Sequence, residues 1–186
     1  MRAPAQRAGA APGGARPARA GFTLVELAIV LVVLALLLVA GVPSLGAALA
    51  RHRLQATARA LQADVALARQ LAVARGLVAH ITLQPGPHWC WALSLDTPVD
   101  CRVARQGGPV IKVVHAEAHP NITLDEAAAM ALDGRSGTRL SPPGQSLFVS
   151  RHGDRLSLRL NTLGRANLCT TAGALPGVQA CSDPGG

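Results

Sequence analysis

The segment from Phe22 to Val42 constrains this chain more than any other. It is 21 residues long and, after Glu26, runs from Leu27 to Val42 without a polar side chain. Wound as a helix at about 1.5 Å per residue it reaches about 31 Å, one hydrocarbon core. The chain is therefore expected to enter a membrane. Residues 1 to 20 are almost entirely Ala, Gly, Pro and Arg, a composition that cannot bury a core. They carry Arg2, Arg7, Arg16 and Arg19, and beyond the apolar run no base occurs until Arg51. By the positive-inside rule the N-terminus faces the cytoplasm and the remainder lies outside.

A secretory signal has an apolar stretch of about 7 to 15 residues followed by a small-residue cleavage site. Here the small residue, Gly21, precedes the run. Gly21-Phe22-Thr23-Leu24-Val25-Glu26 ahead of a long apolar helix, with Pro43 at a point where such helices kink, resembles the leader junction of type IV pilins and type II secretion pseudopilins. The resemblance implies that a prepilin peptidase cuts between Gly21 and Phe22 and methylates the new N-terminal Phe22. It also implies that Glu26 pairs with the N-terminal amine of a neighbouring subunit during assembly. A carboxylate inside a membrane segment is costly without a partner, which fits that role. Taken alone, Glu26 also reads as a first-turn acid, favoured by the helix macrodipole and snorkelling to the interface.

Gly41 and Pro43 would loosen or kink a helix, because proline removes an intrahelical bond and clashes with the preceding turn. The helical pattern then resumes from Leu45 to about Arg75. Leu54, Ala58, Leu61, Val65, Ala68 and Ala72 step by four and three onto one face, which predicts packing against another layer. Arg51, Arg53, Arg59, Arg69 and Arg75 project elsewhere, with Asp64 the sole acid among them, and Gly76 reads as a helix stop. The Arg-rich face reads either as a solvated surface that meets neighbours in a filament or as a face for anionic lipid or nucleic acid. The passage from Ala68 to Gly76 and into the apolar stretch Leu77 to Leu83 resembles the helix-to-strand junction of the GspH and FimT branch of minor pilins.

After Gly76 the pattern changes to short β-like stretches separated by turn residues: Val78 to Leu83, Trp91 to Leu95, Val110 to Val114, Leu147 to Ser150, Arg155 to Leu160 and Ala166 to Cys169. Arg151-His152-Gly153-Asp154 is expected to be a hairpin connection. Between Thr123 and Leu132 two readings stand. Thr123-Leu124-Asp125-Glu126 is a capping-box pattern ahead of an Ala-rich helix, whereas the GspH and FimT resemblance implies a strand near Met130 to Leu132. The predicted fold class is α+β: a long kinked N-terminal helix, membrane-spanning in its first half, packed on an antiparallel β-sheet head in the pilin manner. The corresponding divisions are a leader at 1–21, a transmembrane half-helix at 22–43, an amphipathic stalk at 44–75 and a periplasmic head at 76–186.

The four cysteines pair by proximity as Cys90 with Cys101 and Cys169 with Cys181, suited to an exported, loop-rich head with few aromatics; other connectivities remain open. Neither pair has the spacing of a zinc motif, so no metal and no cofactor are expected. His88 near Cys90 and the adjacent Asp125-Glu126 are the nearest things to catalytic groups. A cysteine in this compartment is expected to be oxidised, and neighbouring acids diverge on a helix and alternate on a strand. No nucleophile elbow or phosphate loop is present, and a membrane-tethered hydrolase is the weaker alternative.

Leu163-Gly164-Arg165-Ala166-Asn167-Leu168-Cys169 resembles the C-terminal Gly-Arg motif of FimT-like pilins, some of which bind DNA through a second Arg two residues after the first. Asn167 occupies that place here. Arg165, with Arg151, Arg155 and Arg159, makes up the candidate DNA contacts; Arg155 and Arg159 share a strand face with Ser157 between them. The formal net charge of +8 does not by itself argue for DNA. Four of the bases lie in the leader and five on the stalk, while in the head nine bases meet eight acids.

The combined expectation is a non-enzymatic minor pilin or pseudopilin. Processed by prepilin peptidase, it would wait in the inner membrane as a single-pass protein with a periplasmic head. It would then join other pilins or pseudopilins on the inner-membrane assembly platform, at the tip of a type II secretion pseudopilus or a type IV pilus. Its partners would be those proteins and membrane lipid, with DNA in the uptake alternative.

Overall fold

The computed structural model describes residues 22–172 and 175–182, with backbone alone at 39–44. The leader, Gly21 included, lies outside the described residues. One helix, α1 (Leu24–Arg75), is assigned without a break through Pro43; the side chains around that proline are not described, so the kink expected there lies outside the description. Two units compact separately, one ending at Gly41 and the other beginning at Val42.

In the first unit α1 starts on a capping arrangement. Thr23 Oγ1 accepts the Glu26 N–H at 3.2 Å and the Thr23 carbonyl accepts the Leu27 N–H at 3.1 Å. A hydroxyl at the N-cap with Glu three residues on is how a helix start satisfies its orphan donors. Every described side chain from Phe22 to Leu38 is exposed, including Phe22 at 80% and Leu36 at 66%. Among the described residues no helix is long and apolar enough to cross a membrane; the described side chains of the run end at Leu38, short of Val42.

In the second unit the periodic face of α1 is buried as expected: Leu54, Ala58, Leu61, Ala68 and Ala72 have no exposure and Val65 has 1%. Arg75 is the last helical residue. Gly76 follows at φ +67°, and the Leu77 N–H reaches back to the Ala72 carbonyl at 3.2 Å, a Schellman closure that needs a residue tolerant of the left-handed region.

The strands are β1 (Ala79–Gln84), β2 (Cys90–Leu95), β3 (Val110–His115), β4 (Ile122–Glu126), β5 (Met130–Leu132), β6 (Gln145–Ser150), β7 (Arg155–Leu160) and β8 (Ala166–Ala172). They form two four-stranded antiparallel sheets, ordered β3-β2-β1-β5 and β4-β6-β7-β8. Each predicted strand is present, and Arg151 to Asp154 closes the β6–β7 hairpin through the Ser150 N–H to Asp154 carbonyl bond of 2.9 Å. All six residues of β2 are buried. One side of the strand meets the helix-facing core; on the other, Cys90 and Ala92 are covered by the loop that Cys90–Cys101 holds down.

The contested segment forms two strands, β4 as far as Glu126 and β5 from Met130 to Leu132, the latter paired with β1 as the resemblance implied. Ile122 and Leu124 are buried while Thr123 and Asp125 are exposed, an alternation a helix would not give, and β4 pairs with β6 from Ile122↔Ser150 onward. Thr123 Oγ1 bonds Asp125 Oδ1 at 3.2 Å instead of capping a helix. As a strand, β4 inserts Ile122 and Leu124 into the core and presents the Ile122 carbonyl to Trp89 Nε1 at 2.8 Å. Long-range packing outweighs local helix propensity.

Candidate assembly and binding surfaces

At the start of α1, Phe22 and Glu26 both lie on open surface. The backbone of Glu26 is committed to Thr23, so the acid is part of the helix start while its carboxylate stays available.

The Gly-Arg sequence forms the β7–β8 turn. The Asn161 side-chain oxygen accepts the Arg165 N–H at 2.8 Å, and the Asn161 carbonyl accepts that of Gly164 at 3.0 Å. Gly164 has φ +73°, and a Cβ on it would sit 2.0 Å from the Gly137 carbonyl oxygen. Only glycine fits that approach. Gly137 in turn offers its carbonyl to Arg69 Nε of α1 at 3.1 Å, so helix, β5–β6 loop and Gly-Arg turn are stitched together. Arg165 itself is exposed and borders a cleft with Arg59 and Arg69.

The other candidate arginines do not converge with it. Arg151 sits in the β6–β7 turn and Arg165 in the β7–β8 turn, at opposite ends of a six-residue strand of about 20 Å. Arg151 Nε contacts His152 Nε2 at 3.2 Å. Arg159 is spent internally: Nε and Nη2 both reach Gln145 Oε1, at 3.3 and 3.1 Å, and Nη1 donates to the Ser182 carbonyl at 3.2 Å. Ser157, also bonded to Gln145 Oε1, is buried between them. Arg155 is exposed on the same strand.

The sulfur pairs are Cys90–Cys101 and Cys169–Cys181. The second fastens the tail along β8, where the Thr170 N–H reaches the Gln179 carbonyl and the Cys181 N–H reaches the Thr170 carbonyl, both at 2.9 Å. With Cys90 bonded and 1% exposed, His88 has no thiol to activate. Asp125 and Glu126 are tied separately, to Thr123 and to Gln145 Nε2. Among the described residues no group of three or more His, Cys, Asp or Glu could hold a metal.

One functional-looking centre was not anticipated. Asp64, 3% exposed on the packed side of α1, accepts Trp91 Nε1 at 2.8 Å and Lys112 Nζ at 2.7 Å. Beside it Trp89 and Trp91 stack with centroids 5.4 Å apart, edge-on to Phe148, and His119 lies over both rings while bonding Thr57 Oγ1 at 3.0 Å. Burial pushes the His119 pKa below its ordinary value, helped by Lys112 and opposed by Asp64. Asp133 is also held low, chiefly by the Ser136 N–H and hydroxyl and then by the Arg135 N–H. The sequence signal for Asp64 was its spacing, three residues after Leu61 and four before Ala68, which puts an acid on the buried stripe. Its buried polar atoms are all hydrogen-bonded, and through Asp64, Trp91 and Lys112 the cluster joins helix to sheet.

The family model of the prokaryotic N-terminal methylation motif matches residues 16–42. That of the type II transport protein GspH matches residues 57–164. No curated protein and no solved structure gave a match. The GspH model takes in the buried face of α1 from Ala58 onward, strands β1 to β7 and the β7–β8 turn as far as Gly164, and with more than half of its length so matched the chain belongs to the GspH family of type II transport proteins.

Proposed function

We propose that the chain is a structural, non-enzymatic minor pilin or pseudopilin, cut after Gly21, methylated on Phe22 and held in the inner membrane by the first part of α1 with the head in the periplasm. From there it enters the tip of a type II secretion pseudopilus or a type IV pilus, with prepilin peptidase, other pilin-type subunits and the assembly platform as partners. The observation that carries this reading is the exposed, largely apolar surface from Phe22 to Leu38, which lies within the stretch matched by the N-terminal methylation motif and has no partner among the described residues of its own unit. Lipid covers it before assembly and neighbouring helices cover it afterwards. Glu26 then supplies the charge that a neighbour's N-terminal amine neutralises.

The test is the mature N-terminus. Mass spectrometry of the native protein should find N-methylphenylalanine at Phe22, and Gly21→Ala should leave the precursor uncut. Cleavage that continues in Gly21→Ala overturns the reading. Glu26→Ala should be cut normally and fail to enter filaments.

DNA contact is a second reading, supported by the exposed Arg155 and Arg165. The separation of Arg151 from Arg165, the internal bonds of Arg159 and the Asn at 167 weigh against a continuous phosphate track.

A further inference from the structure

A cleft of about 930 Å³ runs between the outer side of α1 and the β7–β8 turn, wholly within the second unit. Its floor is small and aliphatic, chiefly Ala63, Ala66 and Val73, all exposed. Arg59, Arg69 and Arg165 border it, and no acid is among the residues that line it. Arg69 is positioned by its bond to the Gly137 carbonyl. The ion pairs among the described residues are Arg51–Asp154 and Lys112–Asp64, so none of the three is neutralised there. A second, more polar hollow of about 700 Å³ shares Arg59 and Gln62 with the cleft and extends to Arg159 and Ser182.

Three cations around one apolar floor repel one another until an anionic occupant arrives. The floor decides what kind. Single-stranded nucleic acid is gripped by stacking on aromatic side chains as well as by phosphate contacts, and no aromatic residue lines either hollow. Alanines and a valine instead receive aliphatic side chains, while guanidinium groups pair with carboxylates in bidentate fashion. We propose that this cleft docks an acidic, aliphatic-bearing segment of a partner protein, its apolar side chains on Ala63 and Ala66 and its carboxylates on Arg59, Arg69 and Arg165. The docking depends on the head alone and holds whether or not the chain is cut at Gly21.

The full chain in neutral detergent is titrated into a fluorescently labelled synthetic peptide of Glu-Leu-Ala repeats and followed by anisotropy. The same peptide with Lys at every Glu and a duplex DNA oligonucleotide serve as comparisons. The acidic peptide should bind and the lysine peptide should not. Arg165→Ala should weaken binding about tenfold, Arg59→Ala with Arg165→Ala further, and added salt should weaken it throughout. Ala66→Glu, a surface change that places a carboxylate on the floor, should abolish binding, and Arg105→Ala, an exposed arginine outside the cleft, should leave it unchanged. Tryptophan fluorescence verifies that each variant is folded. Failure of the acidic peptide to bind overturns the proposal, as does binding indifferent to Arg165→Ala and Ala66→Glu; DNA binding through the same arginines in place of the peptide assigns the cleft to nucleic acid.

Discussion

Two stretches of one helix carry leucines to opposite fates. Leu31 is 56% exposed and Leu36 66%, whereas Leu54 and Leu61 have no exposure at all. The difference lies in arrangement, not in residue type. From Leu27 to Val42 apolar groups occupy every side of the helix, so no single protein layer can cover them. From Leu54 to Ala72 they recur every three or four residues on one stripe, which two antiparallel sheets cover completely. The first stretch needs a surrounding supplied from outside; the second carries its own. The proposed division of labour, the first stretch as anchor and the second as part of the folded head, rests on this difference.

The comparison breaks most sharply where the head is built most tightly. Gly164→Val should cost about 4 kcal/mol or more, since its side chain must enter the space of the Gly137 carbonyl from a left-handed backbone. Both tryptophans of the chain, Trp89 and Trp91, are buried in the head, so denaturant unfolding followed by their fluorescence in detergent reports the head by itself. A Gly164→Val protein with unaltered unfolding would mean that the stitch between turn, loop and helix is dispensable.

Leu61→Ala should lower the same unfolding free energy by about 3 kcal/mol, because it empties a filled site. Leu31→Ala should leave it within about 0.5 kcal/mol, being an exposed change outside the head. Equal effects would erase the distinction between the two stretches.

Lys112→Met sharpens the contrast within the head by stranding the Asp64 carboxylate beside Trp91. With the lysine side chain 41% exposed, the loss should be about 1–2 kcal/mol, below that of a fully buried pair. The smallest effect is that of pH. His119 has a lowered pKa in the folded head, so its neutral form is the native one and protonation favours the unfolded chain. Its contribution should be complete above the unfolded value of about 6.5 and decline as the pH falls below it. His119→Gln should flatten that decline; the carboxylate of Asp133, held low by Ser136, loses its contribution in a separate window as pH falls further.

Much of this was legible beforehand for identifiable reasons. The six-residue stripe of α1, the strands and the hairpin at Arg151 to Asp154 follow from periodicity and turn residues, which act locally. Thr123 to Leu132 was not settled locally, because its capping pattern points to a helix and the family resemblance to a strand near Met130, and only pairing with β6 and β1 chooses between them. The arginines show the same limit. Arg155 and Arg159 share a strand, yet Gln145 and Ser182 claim one and leave the other exposed. Arg59, Arg69 and Arg165, distant in sequence, meet around one cleft because the Gly-Arg turn packs on the helix through Gly137.

The sequence by itself determined that the chain has an apolar helical start preceded by a basic, Ala/Gly/Pro-rich stretch, a one-faced helix after it, a β-rich remainder and cysteines near enough to pair, since composition and short-range spacing dictate each of these. Tertiary structure alone decided that Asp64 would be a satisfied joint under Trp91 and Lys112, that Gly164 would admit no side chain, and that three arginines would surround an alanine floor. Those outcomes depend on which surfaces the two sheets bring against α1, and burial, charge pairing and close approach exist only once those surfaces have met.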